Sequence, residues 1–99
     1  MLRWTVALLI AVTEPSYVHD APSGWHYPEH CCAKQHCHRV ACESINEQGG
    51  GYTWRNLFFT KPQTSLSGDG ECHVCHDWGD ERGWLVPVNP ECLFLNHGS

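Results

Sequence analysis

Along most of this chain apolar and polar residues alternate, and no stretch keeps a helical period over three turns, so the pattern predicts strands. Over residues 38–46 the alternation is loose, with Val40, Cys42 and Ser44 on one face. Residues 52–60 are rich in the aromatic and β-branched side chains that suit a pleated, half-buried surface. Between them, residues 47–51 end in three glycines, which supply the positive φ values of a tight reversal. Together these segments read as a hairpin. Neither Lys-Ser/Thr nor a helix follows the glycines, so they form a turn and not a phosphate-binding loop. Residues 61–70 read as a loop, 71–78 as a further strand and 79–83 as a turn. Residues 84–88 are apolar, but Pro87 confines them to an edge or an extended loop. Residues 91–95 close the pattern as a strand with Cys92 and Phe94 on one face. Ala33, Lys34 and Gln35 favour helix, so residues 31–37 are expected to hold a short helical turn and nothing longer. The expected fold is mainly β: a small, disulfide-stapled antiparallel sheet with a Cys-rich, partly helical-turn N-terminal segment.

The N-terminus changes the picture by setting a compartment. Arg3 precedes an apolar run over residues 4–12, too short for the ~20 residues of a membrane-spanning helix but suited to a signal-peptide core. Ala11 and Thr13 offer a small-x-small cleavage pattern, whereas Ala21 has His19 at the position that should be small. Residues 13–24, with Pro15 and Pro22, read as linker. The chain therefore divides into a signal peptide and linker at 1–21 and a single Cys-rich β domain at 22–99, exported to the periplasm or beyond the cell. No Leu-x-x-Cys follows the apolar run, so neither a lipid anchor nor a stable membrane span after cleavage is expected. The net charge of −5 comes without a basic cluster, which disfavours nucleic acid and leaves a protein or small molecule as the expected partner.

Seven cysteines in 99 residues signal a disulfide scaffold, since so short a chain buries too little surface to be stable on its core alone. They are Cys31, Cys32, Cys37, Cys42, Cys72, Cys75 and Cys92. An odd number leaves one over, as a free thiol, half of an intermolecular bridge, a metal ligand or a haem thioether. Bridges between the 31–42 and 72–92 clusters are favoured because they close long loops. Adjacent Cys31 and Cys32 are expected to reach different partners, as the ring joining neighbours is strained.

Cys72-His73-Val74-Cys75-His76 spells Cys-x-x-Cys-His, the attachment pattern of a c-type haem, with Cys72 and Cys75 as thioethers and His76 on the iron. Its setting argues for bridges instead. On a strand Cys72, Val74 and His76 share one face while His73 and Cys75 share the other. The only methionine is Met1, so a sixth ligand would have to be a histidine such as His30, His36, His38 or His97. A zinc or copper site is the other cofactor alternative. His36 and His38, two apart on a strand, point the same way, and His30, His73 or His76 would complete the set. Otherwise the histidines lie on a polar face and no cofactor is needed. Thiol–disulfide exchange at Cys72 and Cys75 lacks the helix that lowers a thiol pKa, and no serine sits in a nucleophile elbow. The expectation is a non-enzymatic binding or structural domain.

Trp25-x-Tyr27, Cys31-Cys32, Cys37-x-x-Val40, Ser67-x-Asp69-Gly70, His73-Val74-Cys75 and Cys92-x-Phe94 together resemble a group of small exported alphaproteobacterial proteins of uncharacterised function. The resemblance spans residues 25–95 and implies fold and compartment, with no activity to carry over. It departs at His36 and Arg39, where the group carries Asp and Pro, and in the tail over 96–99, where the group is Pro-rich. It also implies that His73-Val74-Cys75 is the recurring unit, with Cys72 and His76 variable.

Overall fold

A computed structural model describes residues 20–32 and 36–97, and the expected signal peptide core and residues 33–35 lie outside them. The described chain runs α1 (Glu29–Cys32), β1 (His36–Val40), β2 (Ile45–Gln48), β3 (Gly51–Trp54), β4 (Leu57–Thr60), β5 (Thr64–Leu66), β6 (Cys72–Glu81) and β7 (Trp84–Leu95). The fold is mainly β, as the alternation predicts. One sheet has the order β1-β6-β7-β5 and the other is the meander β2-β3-β4.

Strand alternation places a core on each side of β6. On one face Cys75 joins Cys92, Phe94, Tyr27, Cys31, Cys32 and Ala21, so the N-terminal segment covers this side. On the other face Val74 and Leu93 meet Tyr52, Trp54, Leu57 and Phe59 of the meander. Full burial of side chains such as Phe59 and Leu93 contributes ~1.5–3 kcal/mol each, yet each core is small. The four-stranded sheet is thus a central layer between a strap and a three-stranded cover.

Several elements differ from the sequence pattern. Residues 38–46 and 52–60 do not form one hairpin: β1 pairs with β6, and a 3-10 turn at Cys42–Ser44 reverses the chain into β2. The 52–60 stretch breaks at Arg55-Asn56 into β3 and β4, although no glycine marks the turn. Arg55 takes φ 54° there, and its guanidinium lies over the Trp54 ring at 4.8 Å. The glycine turn itself is where expected, with Gly49 and Gly50 at φ 59° and 83° joining β2 to β3. The supposed loop at 61–70 contains a capped 3-10 turn at Lys61–Gln63 and β5, which lies parallel to β7, so the sheet is mixed.

β7 runs through Pro87 and Pro90, joining the 84–88 and 91–95 segments into one strand. Around Pro87 its only ladder neighbour is β6, so the missing N–H falls on an edge. The carbonyls of Pro87 and Pro90 accept from the Asn56 and Gln63 side chains at 3.0 and 2.9 Å. A register shift between Cys75 and Asp77, with Asn89 at φ 55°, bends the pair; beyond it residues 77–81 and 84–88 form a two-stranded arm turning at Arg82-Gly83. The strap also starts earlier than the linker reading allows. Asp20 bridges to His26 and Ala21 is 5% exposed, so these last two residues of the stretch read as signal peptide and linker pack with the strap. No described helix is long and apolar enough to cross a membrane.

Candidate functional site

The sulfurs are arranged concentrically. Cys42–Cys72 lies inside Cys37–Cys75, which lies inside Cys31–Cys92, with sequence separations of 30, 38 and 61. All three join the two clusters, and Cys31 and Cys32 reach different partners. Cys72 and Cys75 serve separate bridges on opposite faces of β6, as alternation requires. Cys37 is also within bonding reach of Cys32, its Cα 6.1 Å away, while the Cys37–Cys75 Cα pair stands only 4.0 Å apart across the β1–β6 ladder. One sulfur holds one disulfide. Cys32, Cys37 and Cys75 therefore share a single bond, and the odd cysteine of the count belongs to this trio.

Beside the trio, four side chains form a polar chain that is buried at Tyr27 and His73 and reaches the surface at Ser23. Tyr27 donates its hydroxyl proton to His73 Nδ1 at 3.0 Å, His73 Nε2–H donates to Asp69 at 2.9 Å, and the Ser23 hydroxyl donates to Asp69 Oδ2 at 2.6 Å. Burial, with the Asp69 charge adding to it, pushes the Tyr27 hydroxyl up to about 12, so it remains a donor. Burial works against the Asp69 carboxylate too, but hydrogen bonds from Ser23, His73 and the Glu71 N–H hold it well below the usual range. The Trp25 indole packs on His73 and Phe94 and over Gly68, where a β-carbon would collide with it. Although the order Tyr-His-Asp resembles a catalytic relay, Tyr27 and His73 are sealed at 1% and 0% exposure. The chain fastens the strap to β6. Sequence reasoning missed this network, whose one signal is that three of its members, Tyr27, Asp69 and His73, fall among the residues that carry the resemblance.

On the opposite face, the buried His76 meets His38, their Nε2 atoms 2.9 Å apart. The β1–β6 register sets His36 directly across from His76 and His38 diagonally, all on the face towards the meander. His76 Nδ1 hydrogen-bonds the Asp77 carbonyl at 2.7 Å, and the His38 ring bonds the backbone at Arg39. Trp54 lies 5.4–5.5 Å from both imidazoles, and Trp78 lies 4.8 Å from His76 and stacks on His38 at 6.2 Å. Burial lowers the pKa of both histidines; their neighbouring cationic groups push the same way, against the backbone hydrogen bonds. Both imidazoles are therefore neutral near pH 7.

Of the histidines offered as metal ligands, His36, His38 and His76 share the meander face, whereas His73 lies on the strap face and His30 sits beside the Cys31–Cys92 bridge, its Nε2 3.5 Å from the Cys31 sulfur. His30 and that bridge border an open cleft of about 320 Å³ with Trp25 and Glu91. The haem alternative needs Cys72 and Cys75 on one edge, whereas each points to its own face and its own cysteine. His76, assigned to the haem iron in that alternative, instead meets His38. Comparison with protein-family models, characterised proteins and solved structures finds no match to this chain.

Proposed function

We propose that the chain is an exported, non-catalytic binding module, a disulfide-stapled scaffold that offers the β6–β7 arm to a partner. The observation that carries this reading is the arm itself. Trp84 and Leu85 are 75% and 73% exposed at its tip, while the rest of β6 and β7 is anchored by Cys72, Cys75 and Cys92. Large apolar side chains held in water on a rigid projection suit insertion into a partner's apolar pocket, the way buried aromatic anchors dominate protein interfaces. Several disulfides fit an oxidising extracytoplasmic location. The non-catalytic reading is supported by the sealing of the Tyr27–His73–Asp69 chain, which leaves no room for a substrate.

The test is to express the full chain in a bacterial host and measure the intact mass of the product in each cell fraction, before and after reduction and alkylation. The expected product is periplasmic, cut before Asp20 so that Asp20 and Ala21 stay with the fold, and has six oxidised cysteines. A full-length, fully reduced chain in the cytoplasm overturns the export reading.

A further inference from the structure

The histidine pair between the sheets has a proton count that does not close. Three polar contacts run in series: Asp77 carbonyl to His76 Nδ1 at 2.7 Å, His76 Nε2 to His38 Nε2 at 2.9 Å, and the His38 ring to the Arg39 backbone. Because His38 Nε2 faces His76, the bond to Arg39 falls to Nδ1. A backbone carbonyl only accepts, so each Nδ1 must carry the ring's proton. Two neutral imidazoles have one N–H each, and both protons are then directed outwards. The facing Nε2 atoms are left as two lone pairs at hydrogen-bonding distance. Reversing either tautomer only moves the clash, setting a bare Nδ1 against a carbonyl. One positive charge between the rings closes the series. A third proton would supply it at the cost of an imidazolium buried between two sheets.

We propose that the facing Nε2 atoms of His38 and His76, walled by Trp54 and Trp78, form a two-imidazole site for a monovalent closed-shell metal ion of the Cu(I) class. The outward Nδ1–H bonds to backbone carbonyls are the outer-shell arrangement that fixes a ligating histidine in the Nε2-donor tautomer. Imidazole suits copper and zinc alike, but the setting separates them. Structural zinc takes four ligands, and this space offers two, with exposed His36 beyond them. Trp54 and Trp78 present π faces that attract a cation without occupying a coordination position. The Arg55 guanidinium on Trp54 raises the local positive potential, which penalises a divalent ion more than a monovalent one. Placing an ion requires the nitrogens to part from 2.9 Å towards ~4 Å, twice a metal–imidazole bond length of ~2 Å. The break in the ladder after Cys75 leaves His76 without a β7 register partner, so its strand can accommodate that shift. This site does not rest on the arm or on its partner.

Silver(I), a redox-inert closed-shell stand-in for Cu(I), provides the test on the full exported chain, titrated while tryptophan fluorescence and imidazole ¹⁵N shifts are followed. The titration is run on Cys32→Ser, in which the six remaining cysteines pair and leave no thiolate to compete for silver, and the histidine changes are added to that background. One equivalent should quench tryptophan emission and move the Nε2 resonances of His38 and His76 alone. His38→Gln, at the half-buried position, should weaken binding at least tenfold, on the order of a lost metal-site partner, and His76→Gln should do the same. Circular dichroism checks that each variant is folded, and His38→Gln alone decides the question if His76→Gln is not. An absence of binding in Cys32→Ser overturns the proposal, because silver on the unmodified chain then sits on thiolate; so does binding that His38→Gln leaves unchanged in that background, or zinc(II) displacing silver at equal concentration.

Discussion

At the scale of single residues, Asp69 carries the clearest consequence. It is more acidic in the fold than in the unfolded chain, where a carboxyl titrates near ~4. Its bonds to Ser23, His73 and Glu71 therefore stabilise the protein at every pH above that value, and the contribution is lost as pH falls towards the folded pKa. Asp69→Asn should cost about 2 kcal/mol at pH 7, from one weakened and partly unsatisfied buried network. In a domain of this size that lowers the melting temperature by ~10 °C. The gap between the two melting curves should begin to close below about pH 4 and go on narrowing as pH falls towards the folded pKa. A gap that does not narrow at all below about pH 4 would show that the carboxylate charge contributes nothing. The sulfur trio yields a second expectation. With Cys32, Cys37 and Cys75 competing for one bond, Cys32→Ser and Cys75→Ser should each show no alkylatable thiol in denaturant, while the unmodified chain shows one. If Cys75→Ser instead exposes two thiols, Cys32 is no partner for Cys37. The opposed faces of Cys72 and Cys75 were legible in the sequence because strand alternation is a strict rule. The pairing of His73 with Tyr27 and of His76 with His38 was not, since each joins side chains 38 or more positions apart that only the β1–β6 register and the strap bring together.

Among the elements, the arm separates stability from recognition. Trp84 and Leu85 lie beyond both cores and their burial changes little on folding, so the double change Trp84→Ser, Leu85→Ser should shift stability by no more than ~0.5 kcal/mol. The same change should sharply reduce retention on a hydrophobic-interaction column, because it removes the two most exposed large apolar side chains among the described residues. A large loss of melting temperature would mean that the tip packs on the fold and is not offered to a partner. The arm also shows why element boundaries were harder to read than element types. Pro87 normally ends or confines a strand, and the confinement to an edge was correct, yet side-chain amides from Asn56 and Gln63 let β7 continue past both prolines. The turn at Arg55-Asn56 was illegible for the opposite reason. Arginine at positive φ carries no local signal, and the ring beneath it is a neighbour that a composition-based reading counts towards an unbroken strand. β5 was hidden by its length, three residues joined in parallel to the far end of β7.

For the molecule as a whole, the nested bridges determine the order in which the layers come apart. Cys31–Cys92 closes the longest loop and is the only bridge from the strap to β7. Cys42–Cys72 is innermost and fastens the start of β6 to the turn that leads into the meander. Chain-entropy estimates put the outer bridge at about 4 kcal/mol, comparable with the net stability of a small domain. Its removal in Cys31→Ala, Cys92→Ala should therefore lower the melting temperature by more than about 10 °C. The loss should also be uneven. Val74, Leu93 and the meander keep their own core and the inner bridge, whereas the strap keeps only the Tyr27–His73–Asp69 chain, its packing on Phe94 and any Cys32–Cys37 bond. Amide exchange followed residue by residue should thus show residues 20–32 losing protection while β3, β4 and the centre of β6 retain it. Uniform loss across both faces of β6 would mean that the two cores fold as one cooperative unit, and that the strap is as necessary to the meander side as it is to its own.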